Sequence, residues 1–355
     1  MSSPDTHDAG LDTEHLHEAA VGYPDQFAAA AEAVDAIVSW PVLGSLHEVL
    51  VVAEGDAALS GRAVSAAFGP DIGIPIRSHE GGPLPGSVGP GSLVVAVSHG
   101  GTDLETLAAA RDAMQSGATL VVVSGSGALA VLADEHGVAR AGIPVAEHAR
   151  MLPVCLTAAT VRVLVRAGVL DTGLAREQLD EAAEAVRAAV ARFAPDADPA
   201  RNGALRLARA LDRRIPLVHG GTPVAAVGAW RFKSAVNANA KAAAFWDEGA
   251  GIFHADVCGW GLHGDVTRQL FVVVRLRDEG EDWRSARRFM AYREIVEETV
   301  AEIHDVPTKA TTPLGTCLEL VSLADWTSLH LAALAGVDPG PTEATARVHE
   351  ALREA

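Results

Sequence analysis

Basic residues are scarce in this sequence. Lysine and arginine together number 28, against 46 aspartates and glutamates, so the chain has a formal net charge of -18. Nucleic-acid phosphates and anionic lipid headgroups need clustered cations to displace their counterions. We therefore expect neither a nucleic acid nor a membrane as partner, and a small molecule or another protein is left.

Cysteine is rarer still, and long apolar runs are missing. Cys155, Cys258 and Cys317 stand far apart and form no CxxC pair. Neither a zinc cage nor a disulfide framework is indicated, and we expect no metal or other cofactor. The first residues lack a basic segment followed by an apolar one, and no stretch offers about 20 uninterrupted apolar residues. These features predict a cytoplasmic protein.

Three valine-rich runs indicate the fold class. "EVLVVAE", "SLVVAVS" and "TLVVVSG" are each followed by Gly or Ser and then by an alanine-rich helical pattern. Short apolar runs without alternation are typical of strands that are buried on both faces of a parallel sheet. The sequence therefore predicts an α/β fold with doubly wound parallel sheets flanked by helices.

The sequence divides into four parts. We predict an N-terminal helical arm over residues 1–40, a first α/β subdomain over 41–165, a helical connector over 166–213 and a second α/β subdomain over 214–355 with C-terminal helices. In the second subdomain "RIPLVHGG" and "RQLFVVVRLRD" predict strands. "RSARRFMAYREIVEETVAEIHD" predicts one long helix, and "GTCLELVSLADWTSLHLAALAG" predicts another.

The turn "AVSHGGTDLET" is a candidate ligand site. In an open parallel sheet, ligands bind beyond the carboxyl ends of the strands, where helix N-termini present unpaired amides. Ser98 ends the predicted strand, and Gly100 and Gly101 allow the backbone to approach a ligand closely. Thr102 and Glu105 have the spacing of a capping box at the start of the next helix. The alternative is a well-capped turn that binds nothing.

A second segment combines cations and amides without any carboxylate. "RFKSAVNANAKAAAF", residues 231 to 245, holds one arginine, two lysines and two asparagines among small apolar residues. Asn237 and Asn239 can hydrogen-bond sugar hydroxyls or only fix the local backbone. Lys233 and Lys241 are either part of a site or ordinary surface charges.

This segment resembles the sugar isomerase (SIS) domain proteins, and within them the bifunctional phosphoglucose/phosphomannose isomerases. The family motif is RWKxQxNENAK, and this chain has Arg231, Phe232, Lys233, Asn237, Ala238, Asn239, Ala240 and Lys241. His254 in "FHADV" lies 16 residues after Ala238, the spacing of the histidine in the family's NHNEI. "ADWTSLHLA" and "GVDPGP" are similar to the family's GDYVSxYLA and GVDPTP. The resemblance runs from about residue 45 to the C-terminus.

The resemblance implies two SIS subdomains, a homodimer with active sites near the subunit boundary, and a sugar derivative as ligand. Its chemistry is aldose–ketose interconversion of hexose 6-phosphates, in which a carboxylate moves a proton between C1 and C2 and a histidine opens the ring. The implied catalytic residues are His254 and His349, the latter replacing a family lysine. The implied substrate-binding residues are Ser98, Gly100, Gly101, Thr102, Asp103, Arg150, Arg231, Asn237, Asn239 and Lys241.

The chain departs from the family at the chemical positions. Ala238 replaces the glutamate, and loss of a general base removes about 10² to 10⁴ in rate. Ala57 and Gly100 replace serines that bind phosphate, while Asp56 and Asp103 replace a glycine and a threonine. At an effective dielectric near 20, like charges about 4 Å apart repel by roughly 4 kcal/mol, which opposes a phosphate. Asp103 could instead only stabilise a helix N-terminus.

Two hypotheses follow, and whether the chain is an enzyme stays open between them. The first is an isomerase-like protein with a changed base or substrate, working through His254 and His349, since a histidine can act as a base near neutral pH. The second is a catalytically inactive SIS protein that binds a sugar derivative or a protein partner in a regulatory role. His254 and Asp256 form an HxD pair, but no third residue has a helpful spacing for a metal.

Overall fold

The first of two parallel sheets lies in the N-terminal half of the chain. The computed structural model describes residues 11–144 and 148–353. The strands of this sheet are β1 (Glu48–Val52), β2 (Ile76–His79), β3 (Ser92–Val97), β4 (Thr119–Val123) and β5 (Ala139–Ala141). They run parallel in the order β2-β1-β3-β4-β5. Every residue of β1 and β3 is buried, because helices cover both faces of the sheet.

The second sheet has the same parallel arrangement. Its strands are β6 (Ile215–Gly220), β7 (Phe245–Glu248), β8 (Phe271–Arg277) and β9 (Glu302–Pro307), in the order β7-β6-β8-β9. All three strand pairings are parallel. The prediction of an α/β fold with two parallel sheets flanked by helices is confirmed.

Helices connect the strands and fill the space between the sheets. They are α1 (Leu16–Val21), α2 (Gln26–Asp35), α3 (Ala58–Phe68), α4 (Leu104–Gln115), α5 (Gly127–His136), α6 (Pro153–Arg166), α7 (Thr172–Phe193), α8 (Gly203–Leu211), α9 (Pro223–Asn239), α10 (Gly251–His254), α11 (Gly264–Leu270), α12 (Trp283–Val296), α13 (Pro313–Ala335) and α14 (Glu343–Arg353). Helix α13 is central, because it packs against α7, α8 and α9 and is buried from Leu314 to Ala332. Within the described ranges, no helix is both long and apolar enough to cross a membrane.

One predicted helix is shorter than its sequence pattern suggested. The pattern predicted a single helix through residue 305, but α12 ends at Val296 and the chain turns at Thr299. Residues 302–307 form β9, which pairs with β8 from Glu302 opposite Val272 to Pro307 opposite Arg277. The long-range pairing with β8 outweighs the local helical pattern, as tertiary context commonly does.

The N-terminal segment packs into the body of the protein. Helix α2 lies against α6, and Arg166 of α6 donates hydrogen bonds to the carbonyls of Val34 and Ile37 at 2.8 Å each. Tyr23, between α1 and α2, is fully buried and donates its hydroxyl to Asp325 of α13 at 2.6 Å. Residues near the start of the chain therefore reach the same interior as α9 and α13.

Candidate functional site

A cleft of about 890 Å³ opens at the carboxyl edge of the first sheet. One wall comes from residues 54–57 after β1, residues 99–100 and 102–105 after β3, and residues 148–150 after β5. Ala238 at the end of α9 and residues 342–352 around α14 supply the other. The cleft lies where parallel sheets bind ligands, because successive strands bring their following turns to one edge.

Several predicted site residues meet in this cleft. Gly100, Thr102 and Asp103 line it from the turn after β3, and Arg150 lines it from the turn after β5. His349 reaches it from the exposed surface of α14 and shares it with Ala238, the position of the family's base. The fold thus joins positions that are far apart in the sequence.

Other predicted site residues lie outside the described lining. Ser98 and Gly101 are buried behind the turn after β3, and Arg231 is buried in the interior of α9. His254 is exposed at the end of α10 and is not among the described residues that line the cleft. A ring-opening role for His254 in this cleft stays a prediction.

The turn after β3 differs from the predicted capping box. The N-cap of α4 is Asp103 rather than Thr102, and its side chain makes no capping hydrogen bond to the helix. The Asp103 carboxylate instead accepts a short hydrogen bond from the Ser98 hydroxyl. Ser98 Oγ in turn accepts the backbone N–H of Gly101 at 2.9 Å. The capping-box prediction is wrong because α4 begins at Leu104, so that Thr102 precedes the N-cap position and Asp103, which occupies it, pairs with Ser98.

Gly101 is required because the turn after β3 packs closely against the turn after β4. Its φ is 62°, and a Cβ placed there would stand 1.9 Å from the carbonyl oxygen of Ser126. Backbone hydrogen bonds from Gly125 to His99 at 3.1 Å and from Leu129 to Gly101 at 2.9 Å hold the turns together. A Cβ on Gly100 would meet nothing nearer than the Thr102 hydroxyl at 3.8 Å.

We predict that Gly101→Ala lowers the free energy of unfolding by about 3 kcal/mol or more, because left-handed backbone strain and a clash with main chain add together. Urea unfolding followed by circular dichroism measures the effect. Gly100→Ala is the matched control and is expected to change stability by less than about 1 kcal/mol. Equal losses in the two variants would contradict this account of the turn.

Arg231 is the centre of a buried polar network. Its Nε and Nη2 donate to Asp325 Oδ1 at 2.8 and 2.7 Å, and its Nη1 donates to Asp56 at 2.6 Å. Nη2 also donates to the backbone carbonyl of Arg150 at 2.7 Å. Burial by itself lowers the pKa of Arg231, but the carboxylates of Asp325 and Asp56 raise it above its ordinary value. The network therefore fixes the turn after β1 and the backbone at Arg150.

Arg150 and Lys241 hold the "GVDPGP" turn that precedes α14. The Arg150 guanidinium donates to Asn239 Oδ1 at 3.1 Å and to the carbonyls of Pro339 and Gly340 at 2.9 and 2.5 Å. Lys241 Nζ donates to the carbonyl of Pro339 at 3.0 Å. These cations position the wall of the cleft that carries His349.

The two asparagines also bond to protein atoms. Asn239 is buried and donates to the Ser328 hydroxyl of α13 at 2.9 Å. Asn237 donates to the carbonyl of Ala242 at 2.7 Å, which fixes the local backbone after α9. The residues shared with the family motif thus build the scaffold around position 238.

The cleft is acidic. Glu14, Glu54, Asp56, Asp103 and Glu105 line it, and Arg150 is the one lysine or arginine among the described residues of its lining. Burial, followed by repulsion from Glu105, Glu80 and Asp103, raises the pKa of Glu54 above its ordinary value. A carboxyl group with a raised pKa in a cleft is a functional-site candidate.

The sequence patterns did not single out four titratable residues of the lining: Glu14, Glu54, His99 and His148. Glu54 lies just after the first valine-rich run, so its place beyond a strand was a usable signal. His99 is partly buried, which lowers its pKa, although Asp103 opposes the shift. Glu14 and His148 meet only through the fold, with His148 Nδ1 3.3 Å from a Glu14 carboxylate oxygen.

Comparisons with known proteins agree with this fold. Residues 200–352 match the model of the bacterial phospho-glucose isomerase C-terminal SIS domain. A bifunctional phosphoglucose/phosphomannose isomerase of Caldicellulosiruptor bescii is 24% identical over 328 residues, covering 92% of this chain and 96% of that protein.

Solved structures of other proteins have the same fold. A proposed phosphosugar isomerase of Clostridium difficile superimposes with a TM-score of 0.69 at 12% identity, covering 95% of this chain and 97% of that one. A glucose-6-phosphate isomerase like protein of Thermus thermophilus gives a TM-score of 0.57 at 19% identity, covering 96% and 99%.

Residues 200–352 therefore resemble a SIS domain, and the two parallel sheets of the chain have the fold of solved phosphosugar isomerase structures. Within that class, the chain is phosphosugar isomerase-like and is similar to the bifunctional phosphoglucose/phosphomannose isomerases. The resemblance found in the sequence is confirmed.

Proposed function

We propose that this protein binds a sugar derivative in the cleft without isomerising hexose 6-phosphates through the family's carboxylate. The observation that carries the proposal is Ala238, which lines the cleft and whose side chain, at the position of the family's base, is only a methyl group. A methyl group accepts no proton. Arg231, Asn239 and Lys241 make hydrogen bonds to the protein itself, which supports a role for them in maintaining the cleft.

A second candidate function is an isomerase with a changed base. It is favoured by His349, which lines the same cleft as Ala238. A neutral imidazole there would take the C2 proton of an aldose and return it to C1. A second proton would move from the C2 oxygen to the C1 oxygen. In that case His254 would come from a second subunit, because it is not among the described residues that line this cleft. This arrangement requires the homodimer that the resemblance implies.

The proposed setting is carbohydrate metabolism in the cytoplasm, with a homodimer as the assembly. For the inactive form, we propose a regulatory role in which the bound sugar controls a partner. The low share of cations in the chain agrees with a ligand or protein partner and not with a nucleic acid.

Turnover and binding are measured together by NMR. Purified protein is incubated with fructose 6-phosphate, then with mannose 6-phosphate, and finally with unphosphorylated hexoses, while saturation transfer is recorded in the same tube. We expect saturation transfer from a sugar without appearance of the isomeric sugar. His349→Ala and His254→Ala are run in parallel.

The outcomes separate the two candidates. Turnover that is lost in both histidine variants would replace the first proposal with the changed-base isomerase. If no sugar of either kind shows saturation transfer to folded protein, sugar binding in the cleft is wrong.

A further inference from the structure

We propose that Asp103 fills the phosphate position of the cleft with the chain's own carboxylate, so that the ligand is a sugar without a phosphate group. The inference rests on the proposed sugar-binding function and assigns the class of ligand. Asp103 lines the cleft at the start of α4, where the resemblance places a phosphate-binding threonine.

The turn after β3 carries two hydroxyls: Thr102 lines the cleft, whereas the hydroxyl of Ser98 is already engaged by the protein. Ser98 is 1% exposed, donates its hydroxyl to Asp103 and accepts the N–H of Gly101. A hydroxyl has one proton to donate, so Ser98 cannot also donate to a ligand phosphate. Ala57 and Gly100 line the cleft without any hydroxyl. Of the three positions at which the family has a serine, 57 and 100 carry no hydroxyl here, and the hydroxyl of Ser98 is already engaged.

The nearby cations are engaged as well. Arg231 is 1% exposed and donates to Asp325, Asp56 and the Arg150 carbonyl, so it cannot reach a ligand in the cleft. The Arg150 guanidinium faces Asn239 and two carbonyls of the turn before α14. A phosphate would therefore meet the carboxylates of the described lining and a single arginine, Arg150, whose Nε and Nη2 are already engaged by neutral oxygens of the protein.

Charge then decides the class of ligand. A phosphate oxygen about 4 Å from an ionised carboxylate is disfavoured by about 10³-fold in affinity at an effective dielectric near 20. A sugar hydroxyl in the same place can donate a hydrogen bond to the carboxylate, and such charge-assisted bonds are among the stronger ones. Asp103, which within the described ranges has no cationic partner as Asp56 has in Arg231, therefore favours a neutral hydroxyl group over a phosphate.

The experiment titrates glucose, glucose 6-phosphate and inorganic phosphate into isotope-labelled protein and follows amide shifts. Three variants are compared with wild type: the triple Ala57→Ser, Gly100→Ser, Asp103→Thr; the single Asp103→Asn; and Asp112→Thr. Asp112 is exposed on α4 and is not among the described lining residues, so it controls for net charge alone.

We expect wild type to bind glucose at least about 10-fold more tightly than glucose 6-phosphate. The triple variant should reverse this preference and gain up to about 10³-fold in phosphate affinity, as removal of one like charge allows. Asp103→Asn keeps the shape of the side chain and should gain at least about 10-fold, even if the triple variant does not fold. Asp112→Thr should bind as wild type does.

Three results would overturn the inference. Tighter binding of glucose 6-phosphate than of glucose to wild type rejects it and leaves sugar binding intact. Equal gains in phosphate affinity for Asp103→Asn and Asp112→Thr reject the specific role of Asp103. If folded wild type binds neither sugar, the proposed function itself is wrong, and the ligand class fails with it.

Discussion

Arg231→Met is expected to lower the free energy of unfolding by about 3–5 kcal/mol, the cost of removing one partner of a buried ion pair. Asp325 is completely buried and, among residues 11–144 and 148–353, would keep only the hydroxyl of Tyr23 as a strong donor. Asp56 would also lose its guanidinium partner, although it is partly exposed and water can replace some of that contact. Guanidinium chloride unfolding monitored by fluorescence and circular dichroism measures the loss.

Two variants test whether the loss of stability comes from leaving the buried Asp325 unpaired. Lys233 lies on the same helix and is partly exposed, so Lys233→Met should change the free energy of unfolding by less than about 1 kcal/mol. Arg231→Met combined with Asp325→Leu should recover part of the loss, because replacing both members of a buried pair removes the unpaired charge. A single Arg231→Met variant as stable as Lys233→Met would show that the network contributes little.

Restoring the base should give the largest change in rate. When Ala238→Glu is added to the triple variant Ala57→Ser, Gly100→Ser, Asp103→Thr, we expect glucose 6-phosphate isomerisation to rise by about 10² to 10⁴. Ala238 already lines the cleft, so the new carboxylate would reach the ligand space directly. The initial rate of fructose 6-phosphate formation by NMR is the measurement.

An amide at the same position is the matched control. Ala238→Gln in the triple background has nearly the size of glutamate but cannot accept a proton from carbon, so its rate should stay at that of the triple variant. Equal rates for glutamate and glutamine, with glucose 6-phosphate binding retained, would show that the cleft no longer has the geometry of an isomerase.

The sequence made the chemistry at single positions readable. Ala238 and Asp103 are visible as departures from a motif, and the turns after the valine-rich runs indicate the edge of the sheet that carries the cleft. The motif did not show that Arg231 and Asn239 bond to protein atoms, because their partners Asp325 and Ser328 lie 94 and 89 residues further along the chain.

The order of apolar runs and turns by itself determined the α/β class and the two sheets, because a strand buried on both faces must be apolar along its whole length. Only the tertiary structure decided that residues 302–307 form β9 and that Asp103 turns toward Ser98. It also brought Glu14 and His148 to the cleft. Local periodicity reports how one segment is buried, whereas these pairings depend on contacts between segments that the chain brings together only on folding.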